Sequence, residues 1–218
     1  MTATYTPTQR ARIKRARQRA HYDHETVHAI LDAGLIAHVG YVIDGQPFVT
    51  ATCHWRRDDV IYWHGSAASR MLRAIGGGVP VCVTVTHFDG IVLARSGFHS
   101  SINYRSVTAF GRARKVEDRA EKLAALEALV ERITPGRWPE LRPPNAKEIK
   151  ATTVVAMPIE EAAAKVRSGT PADDAADYAL PLWAGVLPVR AQLGAPEPDP
   201  RLDPGTPAPD YLGRVTVA

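Results

Sequence analysis

The dipeptide Asp44-Gly45, set between two apolar strand-like runs, constrains the fold of this chain more than any other feature. The flanking runs cover residues 35–43 and 48–55 and are rich in β-branched and aromatic residues. An Asp-Gly pair in this setting is typical of a two-residue turn in which both residues take positive φ. The sequence therefore predicts a β-hairpin, and antiparallel pairing becomes the first structural expectation.

Further strand-like runs follow at short spacing along the chain. We predict strands over residues 59–64, 80–87, 91–95, 104–116 and 152–159. In the run 80–87, valines alternate with cysteine and threonine, so the two sets are expected to face opposite sides of a sheet. Asp89-Gly90 predicts a second hairpin turn, and Gly111 predicts a bulge or bend.

Three helices are predicted between these strands, over residues 22–33, 66–75 and 118–133. Asp23 and Ser66 are the expected N-caps of the first two, and glycines at 34 and 76–78 are expected to end them. The third helix has the clearest apolar stripe, formed by Leu123, Leu126, Leu129, Val130 and Ile133. Short antiparallel strands with few helices between them predict a mainly β fold, a closed or nearly closed β-barrel with flanking helices.

Charge and proline content divide the 218-residue chain into three parts. The net charge is +4, but residues 1–20 alone carry +6 and contain no acidic residue. The remainder therefore carries −2, which argues against a nucleic-acid-binding body. We predict a basic N-terminal arm over 1–20 that partly docks on a partner subunit, a globular domain over 21–192 and a proline-rich tail over 193–218 that is extended or disordered.

Neither a membrane helix nor a secretory signal is predicted. No apolar run approaches the roughly 20 residues that a membrane helix needs, and no apolar stretch follows the basic N-terminus. Cys53 and Cys82, the only cysteines, lie in apolar runs, so we expect buried free thiols in a reducing cytoplasm. A disulfide between neighbouring strands is the less favoured alternative. We expect a cytoplasmic protein with no nucleic-acid or membrane partner.

The segment 59–70 combines a strand, a Gly/Ser loop and the start of a helix. The strand is expected to break at Gly65, after which Ser66 opens the helix and Ser69 and Arg70 lie in its first turn. Backbone N–H groups at such a helix start attract an anion, and hydroxyl and guanidinium groups add hydrogen bonds to it. The segment predicts a site for a phosphate-bearing small molecule, with His64 at its mouth.

All eight histidines lie within the first 99 residues, and one pair has metal-ligand spacing. His24 and His28 form the H-E-x-x-H pattern of zinc proteases, in which Glu25 would act as base. We interpret this as a chance match in a short helix at the front edge of the domain; a zinc hydrolase is a minor alternative, and no metal is expected. His54 and His64 lie on adjacent predicted strands, where they can approach each other across the sheet.

Two later blocks carry ligand-type side chains. Residues 98–107 are dense in polar groups, which are costly to bury unless they serve a ligand or an interface. A solvated loop is the alternative. Trp183 offers a flat wall to an aromatic ligand, and Lys165 and Arg167 can hold an anionic end. Core packing of the tryptophan and solvation of the two bases is the alternative.

The order of these blocks resembles the pyridoxamine 5'-phosphate oxidase-related flavin proteins, in particular the flavin-nucleotide-binding branch that includes nitroimidazole-resistance proteins. The similarity spans about residues 19–190. The matching segments are 19–23, 30–32, 62–66 with Ser69 and Arg70, 89–96, 103–107 with Gly111, 165–167 and 183–188. The chain lacks the full pattern with which true pyridoxamine 5'-phosphate oxidases hold their substrate's phosphate, which argues against vitamin B6 oxidation.

The resemblance implies a six-stranded antiparallel split barrel of the FMN-binding type, a homodimer, and FMN in a groove between the two subunits. It places the flavin phosphate at the helix start and the isoalloxazine along the second strand, with the partner strand approaching the ring. His64 matches a histidine common in the nitroimidazole-resistance branch and is the candidate catalytic residue. The implied cofactor-binding residues are Thr50, Ala51, Thr52, His64, Gly65, Ser66, Ser69, Arg70, Thr84, Arg105, Ser106 and Trp183.

The resulting functional hypothesis is an FMN-dependent oxidoreductase acting on a small organic molecule, reduced by a nicotinamide cofactor (NADH or NADPH). FAD, a deazaflavin and haem are the alternative cofactors, because branches of the superfamily bind them. A flavin- or haem-sequestering protein without turnover is the alternative function. The substrate cannot be named from the sequence.

Overall fold

The computed structural model describes residues 3–217 and confirms a mainly β architecture. The strands are β1 (Ala20–His21), β2 (Ile36–Ile43), β3 (Gln46–Arg57), β4 (Val60–Ser66), β5 (Gly77–Leu93), β6 (Ser101–Lys115), β7 (Thr152–Pro158), β8 (Glu161–Arg167) and β9 (Gly185–Pro188). The helices are α1 (His24–Ala33), α2 (Arg70–Ile75), α3 (Arg119–Ile133) and α4 (Ala146–Ala151).

Six antiparallel strands close into a ring in the order β2-β3-β4-β7-β6-β5, with β5 pairing back to β2. The long strand β6 joins β7 only at its end, through Arg114 and Lys115, and pairs with β8 over 104–110. Because β6 pairs with β7 at one end and with β8 along another part of its length, the barrel is split, as the resemblance implied. Closure of the ring leaves few free strand edges on which another chain could pair.

The barrel interior is lined by alternate residues of its strands. Val39, Val83 and Val107 are fully buried there, and the alternation predicted for the run 80–87 is confirmed. Helix α1 packs its apolar side, which includes Val27 and Leu31, into the same cluster. A second cluster lies on the other side of the sheet, beneath α3.

The hairpin at Asp44-Gly45 is confirmed. Asp44 has φ 49° and Gly45 has φ 76°, the two positive values that this turn requires. The ladder runs without a break from Ile43 opposite Gln46 to Ile36 opposite Cys53. The turn residues therefore set the register of the first two barrel strands.

The second hairpin turn predicted at Asp89-Gly90 is wrong, because β5 continues through it to Leu93. Phe88 pairs with Tyr104 and Gly90 with Asn103, so Asp89 is an extra residue in a bulge. Its carboxylate accepts hydrogen bonds from Arg105 on the neighbouring strand. The chain reverses later, between β5 and β6.

Gly111, expected to mark a bulge or bend, lies in regular register opposite Val81. A Cβ at this position would overlap the Pro158 carbonyl oxygen and lie 2.8 Å from Met157 Cγ. The glycine is needed because β7 approaches the backbone of β6 closely here.

The second predicted helix starts four residues later than expected. Strand β4 extends through Ser66, which pairs with Thr152, and α2 begins at Arg70. Ser69 is its N-cap and accepts a hydrogen bond from the Leu72 N–H at 3.4 Å. Strand β8 had no counterpart among the predicted strands, since its alanine-rich sequence contains a single β-branched residue, Val166.

Both terminal segments pack on the domain of their own chain. In the N-terminal arm, Tyr5 is buried, and Arg10 pairs with Glu161 at 2.5 Å. From 193 to 217 the proline-rich tail joins no strand, as expected, but it packs on the domain: Tyr211 is buried and its hydroxyl donates to Glu140 at 2.6 Å. The three-part division of the chain stays a prediction.

Within residues 3–217, no helix is long and apolar enough to cross a membrane. Cys53 lies opposite Ile36 and Cys82 opposite Gly40, four residues apart along β2, and both thiols are free.

Candidate functional site

One edge of β3 is left open where the barrel is split. The ladder between β3 and β4 ends at His54 opposite Trp63, so residues 46–53 of β3 have no β4 partner. β4 instead continues along β7 to Ser66. The predicted residues Thr50, Ala51 and Thr52 lie on this open segment. Free backbone N–H and C=O groups on such an edge are available to a ligand.

The junction between β4 and α2 faces the same edge. The guanidinium of Arg70 lies 4.4 Å from the ring centroid of Phe48, which belongs to the open segment of β3. Arg70 is exposed and forms no ion pair with any residue between 3 and 217. Its charge is therefore available to an anion.

The hydroxyl groups of the junction organise its backbone. Ser66 Oγ accepts from the Ala68 N–H at 3.2 Å, and Ser69 Oγ caps α2. Gly65 has little room for a side chain, because a Cβ there would lie 3.1 Å from Leu72 Cδ1. The predicted residues Gly65, Ser66, Ser69 and Arg70 thus form one compact turn beside β3.

His64 lies just before this turn, on the outer side of the sheet. Its ring centroid is 5.9 Å from that of Trp55. Its Nδ1 is buried and has no hydrogen-bond partner among the residues that the structure describes, and burial lowers the pKa of the imidazole. A neutral ring with an unsatisfied nitrogen is the expected state of a group that meets a ligand.

His54 does not approach His64, so that expectation is wrong. The register pairs His54 with the buried Trp63, and consecutive strand residues point to opposite faces. His54 Nε2 donates to the Leu31 carbonyl oxygen at 3.1 Å, at the end of α1. Burial lowers the pKa of His54, which has a structural role.

The remaining predicted residues lie elsewhere in a single chain. Thr84 and Ser106 are on β5 and β6, and β2 and β5 separate β6 from β3 in the sheet order. Arg105 is held by Asp89 through three hydrogen bonds of 2.8 to 3.2 Å. Trp183 is 67% exposed, next to β9. One chain does not bring these four residues to the turn at Ser66–Arg70.

The polar block and the C-terminal bases are partly structural. Asn103 is buried and donates to the Gly169 carbonyl oxygen at 3.0 Å, while it accepts from Arg167 at 2.5 Å. Burial lowers the pKa of Arg167. These bonds fix the chain after β8, and they explain why Asn103 and Arg167 are polar without requiring a ligand.

The outer face of the barrel shows a residue that was not predicted. His38 is exposed in the middle of β2 and lies opposite Ala51 and Thr84. Its neighbours in the outward row of β2 are Ile36, which is 54% exposed, and Gly40. The outward positions of β2 are thus Ile, His, Gly and Val, where a solvated strand would carry polar residues. That pattern was a usable sequence signal.

A cleft of about 580 Å³ adjoins the turn and was also missed. Ala67, between Ser66 and Ser69, forms one wall. Five basic residues line the cleft: Arg73, Lys115, Arg119, Lys122 and Lys150. Glu117, its single acid, pairs with Lys115 at 2.9 Å. Burial, and next the charge of Lys115, lower the pKa of Lys122. With five bases and one acid in its lining, the cleft carries a net positive charge.

A family model described as pyridoxamine 5'-phosphate oxidase matches residues 23–166. The flavocytochrome Anf3 from Azotobacter vinelandii is similar in structure, with 47% sequence identity, a TM-score of 0.93 and coverage of 98% of this chain and 100% of that chain. An FAD and haem binding protein from Mycobacterium smegmatis has 38% identity and a TM-score of 0.87, with coverage of 91% and 98%.

A putative 5-nitroimidazole antibiotic resistance protein from Bacteroides thetaiotaomicron has 19% identity and a TM-score of 0.57, with coverage of 67% of this chain and 86% of that chain. At this identity the likeness is one of fold. No curated protein matches the chain.

Proposed function

Because the chain belongs to the pyridoxamine 5'-phosphate oxidase family, we propose that it is a flavin- and haem-binding redox protein that works as a homodimer. Flavin binding is proposed from one observation: the turn Gly65–Arg70 lies beside the open edge of β3. The haem part is supported by the two similar structures, one called a flavocytochrome and the other an FAD and haem binding protein.

The free groups of this site fit a flavin. Arg70, which has no carboxylate partner among residues 3–217, would neutralise the phosphate, and Ser66 and Ser69 add hydroxyl groups. The open edge of β3 at Thr50–Thr52 offers backbone groups to the polar edge of the isoalloxazine. His64 lies beside the same turn, where a neutral imidazole can hold or donate a hydrogen bond.

The flavin that we propose is FAD, rather than the FMN expected first. FAD carries a second phosphate and an adenosine, and the basic cleft beginning at Ala67 has the position and charge to receive them. Arg119 and Lys150 in this cleft form no ion pairs with residues 3–217 and are free to meet the second phosphate. The similarity to the FAD and haem binding protein from Mycobacterium smegmatis also supports FAD.

Titration of the flavin-free protein with FAD and FMN, followed by flavin fluorescence, tests this choice. We expect tighter binding of FAD, and the double variant Arg119→Gln/Lys150→Gln should weaken FAD binding while leaving FMN binding unchanged. Lys147→Gln, on the same helix α4 but outside the cleft, is the matched control. Equal losses for FAD and FMN would contradict the assignment of the cleft.

For haem, the residue that we propose as axial ligand is His38. Six of the eight histidines contact a carboxylate or a backbone carbonyl: His21, His24, His28, His54, His87 and His99. Of the other two, His64 lies at the flavin turn. His38 stands on a flat surface of small residues that includes Gly40 and Ala51, which suits a planar macrocycle.

Homodimer formation is supported by the apolar outer face of the barrel. Val49 is 70% exposed, Val42 60% and Ile36 54%, a surface that monomers rarely leave uncovered. A two-fold dimer would cover this face with its own copy and enclose a haem on His38 between the two chains. It would also bring Ser106 and Trp183 of the partner toward a flavin site that one chain leaves incomplete. Val49→Lys is expected to yield monomers by sedimentation, with weakened flavin binding.

When bound, a flavin can accept a hydride from a nicotinamide cofactor and pass single electrons to haem. This chain would orient the ring, neutralise the phosphates and exclude water at the dimer groove. Adding NADPH or NADH to the cofactor-loaded protein without air tests the redox role. Bleaching of the flavin followed by haem reduction is expected, whereas no bleaching with either donor would favour a storage protein or a different reductant.

A further inference from the structure

The H-E-x-x-H segment has a third partner that its sequence does not show. Helix α1 places His24 and His28 one turn apart, and the turn between β3 and β4 brings Asp59 to them. Nδ1 of His24 lies 3.4 Å from Oδ1 of Asp59, and Nε2 of His28 lies 3.0 Å from the same oxygen. The ligand atoms of all three residues lie within 4.8 Å of one another.

Tyr5 completes this group from the N-terminal arm. Its hydroxyl is 2.7 Å from Asp59 Oδ1 and 2.9 Å from His28 Nε2. Its ring stacks on that of His24 with centroids 4.0 Å apart. The four side chains therefore meet around one point, although they come from the arm, a helix and a turn.

The spacing suits a tetrahedral metal ion. Zinc–nitrogen and zinc–oxygen bonds of roughly 2.0–2.1 Å require ligand atoms about 3.3 Å apart. The three separations from Asp59 Oδ1 and the one between Tyr5 and His28 run from 2.7 to 3.4 Å, so small side-chain movements bring these atoms to this value. The side chains of His24 and His28 are 25% and 20% exposed, and that of Asp59 is 53% exposed, which leaves a path from solvent.

The same atoms form a hydrogen-bonded cluster when no ion is bound. The Tyr5 hydroxyl donates to Asp59 Oδ1 and can accept from His28, whose Nε2 lies 3.0 Å from the same carboxylate oxygen. With an ion at the centre, all four groups would turn lone pairs toward it, and the imidazoles would be unprotonated there.

We propose that His24, His28 and Asp59 bind a divalent transition metal of the zinc class, with the Tyr5 hydroxyl at the fourth corner. The ion would have a structural role, clamping the basic arm to the barrel. The hydrolase alternative is not supported, because Glu25 is exposed and Tyr5 fills the position that an attacking water would need.

Zinc binding to the full-length protein, stripped with a chelator and dialysed, tests this proposal by calorimetry and metal analysis. We expect one zinc ion per chain, and Asp59→Asn and His28→Ala should each weaken binding at least ~10-fold, the lower end of what even outer-shell partners contribute. The control is His21→Ala, a nearby histidine outside the group. Undiminished binding in both site variants, or no zinc bound to the natural protein, would overturn the proposal.

A second readout does not depend on the variants folding well. Trypsin cuts after the arginines and lysines of the arm, so cleavage between residues 10 and 19 reports whether the arm is clamped. We expect cleavage of the natural chain to be faster after chelation and to slow again when zinc is restored. Cleavage at the same rate with and without zinc would show that no such clamp exists.

Discussion

Replacing Arg70 by alanine gives the sharpest test of the flavin site. The guanidinium is exposed and lies 4.4 Å from the ring centroid of Phe48, and no acidic residue of the described part of the chain pairs with it. Its charge is therefore available to a ligand. A hydrogen bond to a charged group contributes about 1.5–3 kcal/mol. Loss of one such bond to the phosphate should therefore weaken flavin binding by about 10- to 150-fold, since 1.4 kcal/mol corresponds to roughly tenfold.

The fold should tolerate this change. An exposed cation–π contact contributes only about 0.5–1 kcal/mol, so Arg70→Ala should lower the free energy of unfolding slightly. The matched control is Arg142→Ala, which removes another exposed arginine; Arg142 precedes α4 and pairs with Glu148 in its first turn. Fluorescence titration with FAD measures both dissociation constants. If the two variants bind FAD equally well, Arg70 does not contact the phosphate and the site is misassigned.

Three further predictions concern stability and haem. Gly111→Ala should destabilise the fold by about 1–3 kcal/mol in urea unfolding, because its Cβ would press on Pro158 and Met157; Gly77→Ala, where a Cβ meets nothing within 4 Å, is the control. Burial lowers the pKa values of His54 and His64, so these rings stay neutral in the folded protein while the unfolded chain binds protons below about pH 6.5. The free energy of unfolding should thus fall as the pH drops from 6.5 toward the folded pKa values, by up to ~1.4 kcal/mol per pH unit for each ring. His64→Gln should lessen this loss. An unchanged slope of the free energy of unfolding against pH in that variant would contradict the assignment. After incubation with haem, His38→Ala should lack the Soret band of the natural protein, whereas the control His99→Ala should retain it. Loss of the band in His99→Ala and not in His38→Ala would show that His38 is not the axial ligand.

The barrel strands could be predicted from the sequence, because a hairpin turn and the alternation of apolar and polar residues each depend on a few neighbouring residues. Asp44-Gly45 forms the expected turn since nothing competes with its positive φ values. Asp89-Gly90 carries a similar signal and forms no turn. There β5 is held in line by pairing with β6 and with β9, where the Leu187 carbonyl oxygen would lie 2.9 Å from a Cβ at residue 90.

The candidate site was predictable in part. The turn from Gly65 to Arg70 is local in sequence, so its composition indicates an anion site directly. The contacts that complete the site join distant parts of the sequence. Arg70 contacts Phe48, which is 22 residues earlier in the chain, and the basic cleft is formed by residues of α2, α3 and α4. His38 was not predicted, although the alternate positions 36, 38, 40 and 42 carry Ile, His, Gly and Val, where a solvated strand would carry polar residues. The meeting of Asp59 with His24 and His28 likewise depends on the tertiary fold.

The absorption spectrum of the purified protein, with mass identification of what heat releases, tests the central claim most directly. We predict flavin bands and a Soret band together, with FAD as the released flavin. A colourless protein that also fails to bind added FAD, FMN or haem would contradict the proposed function.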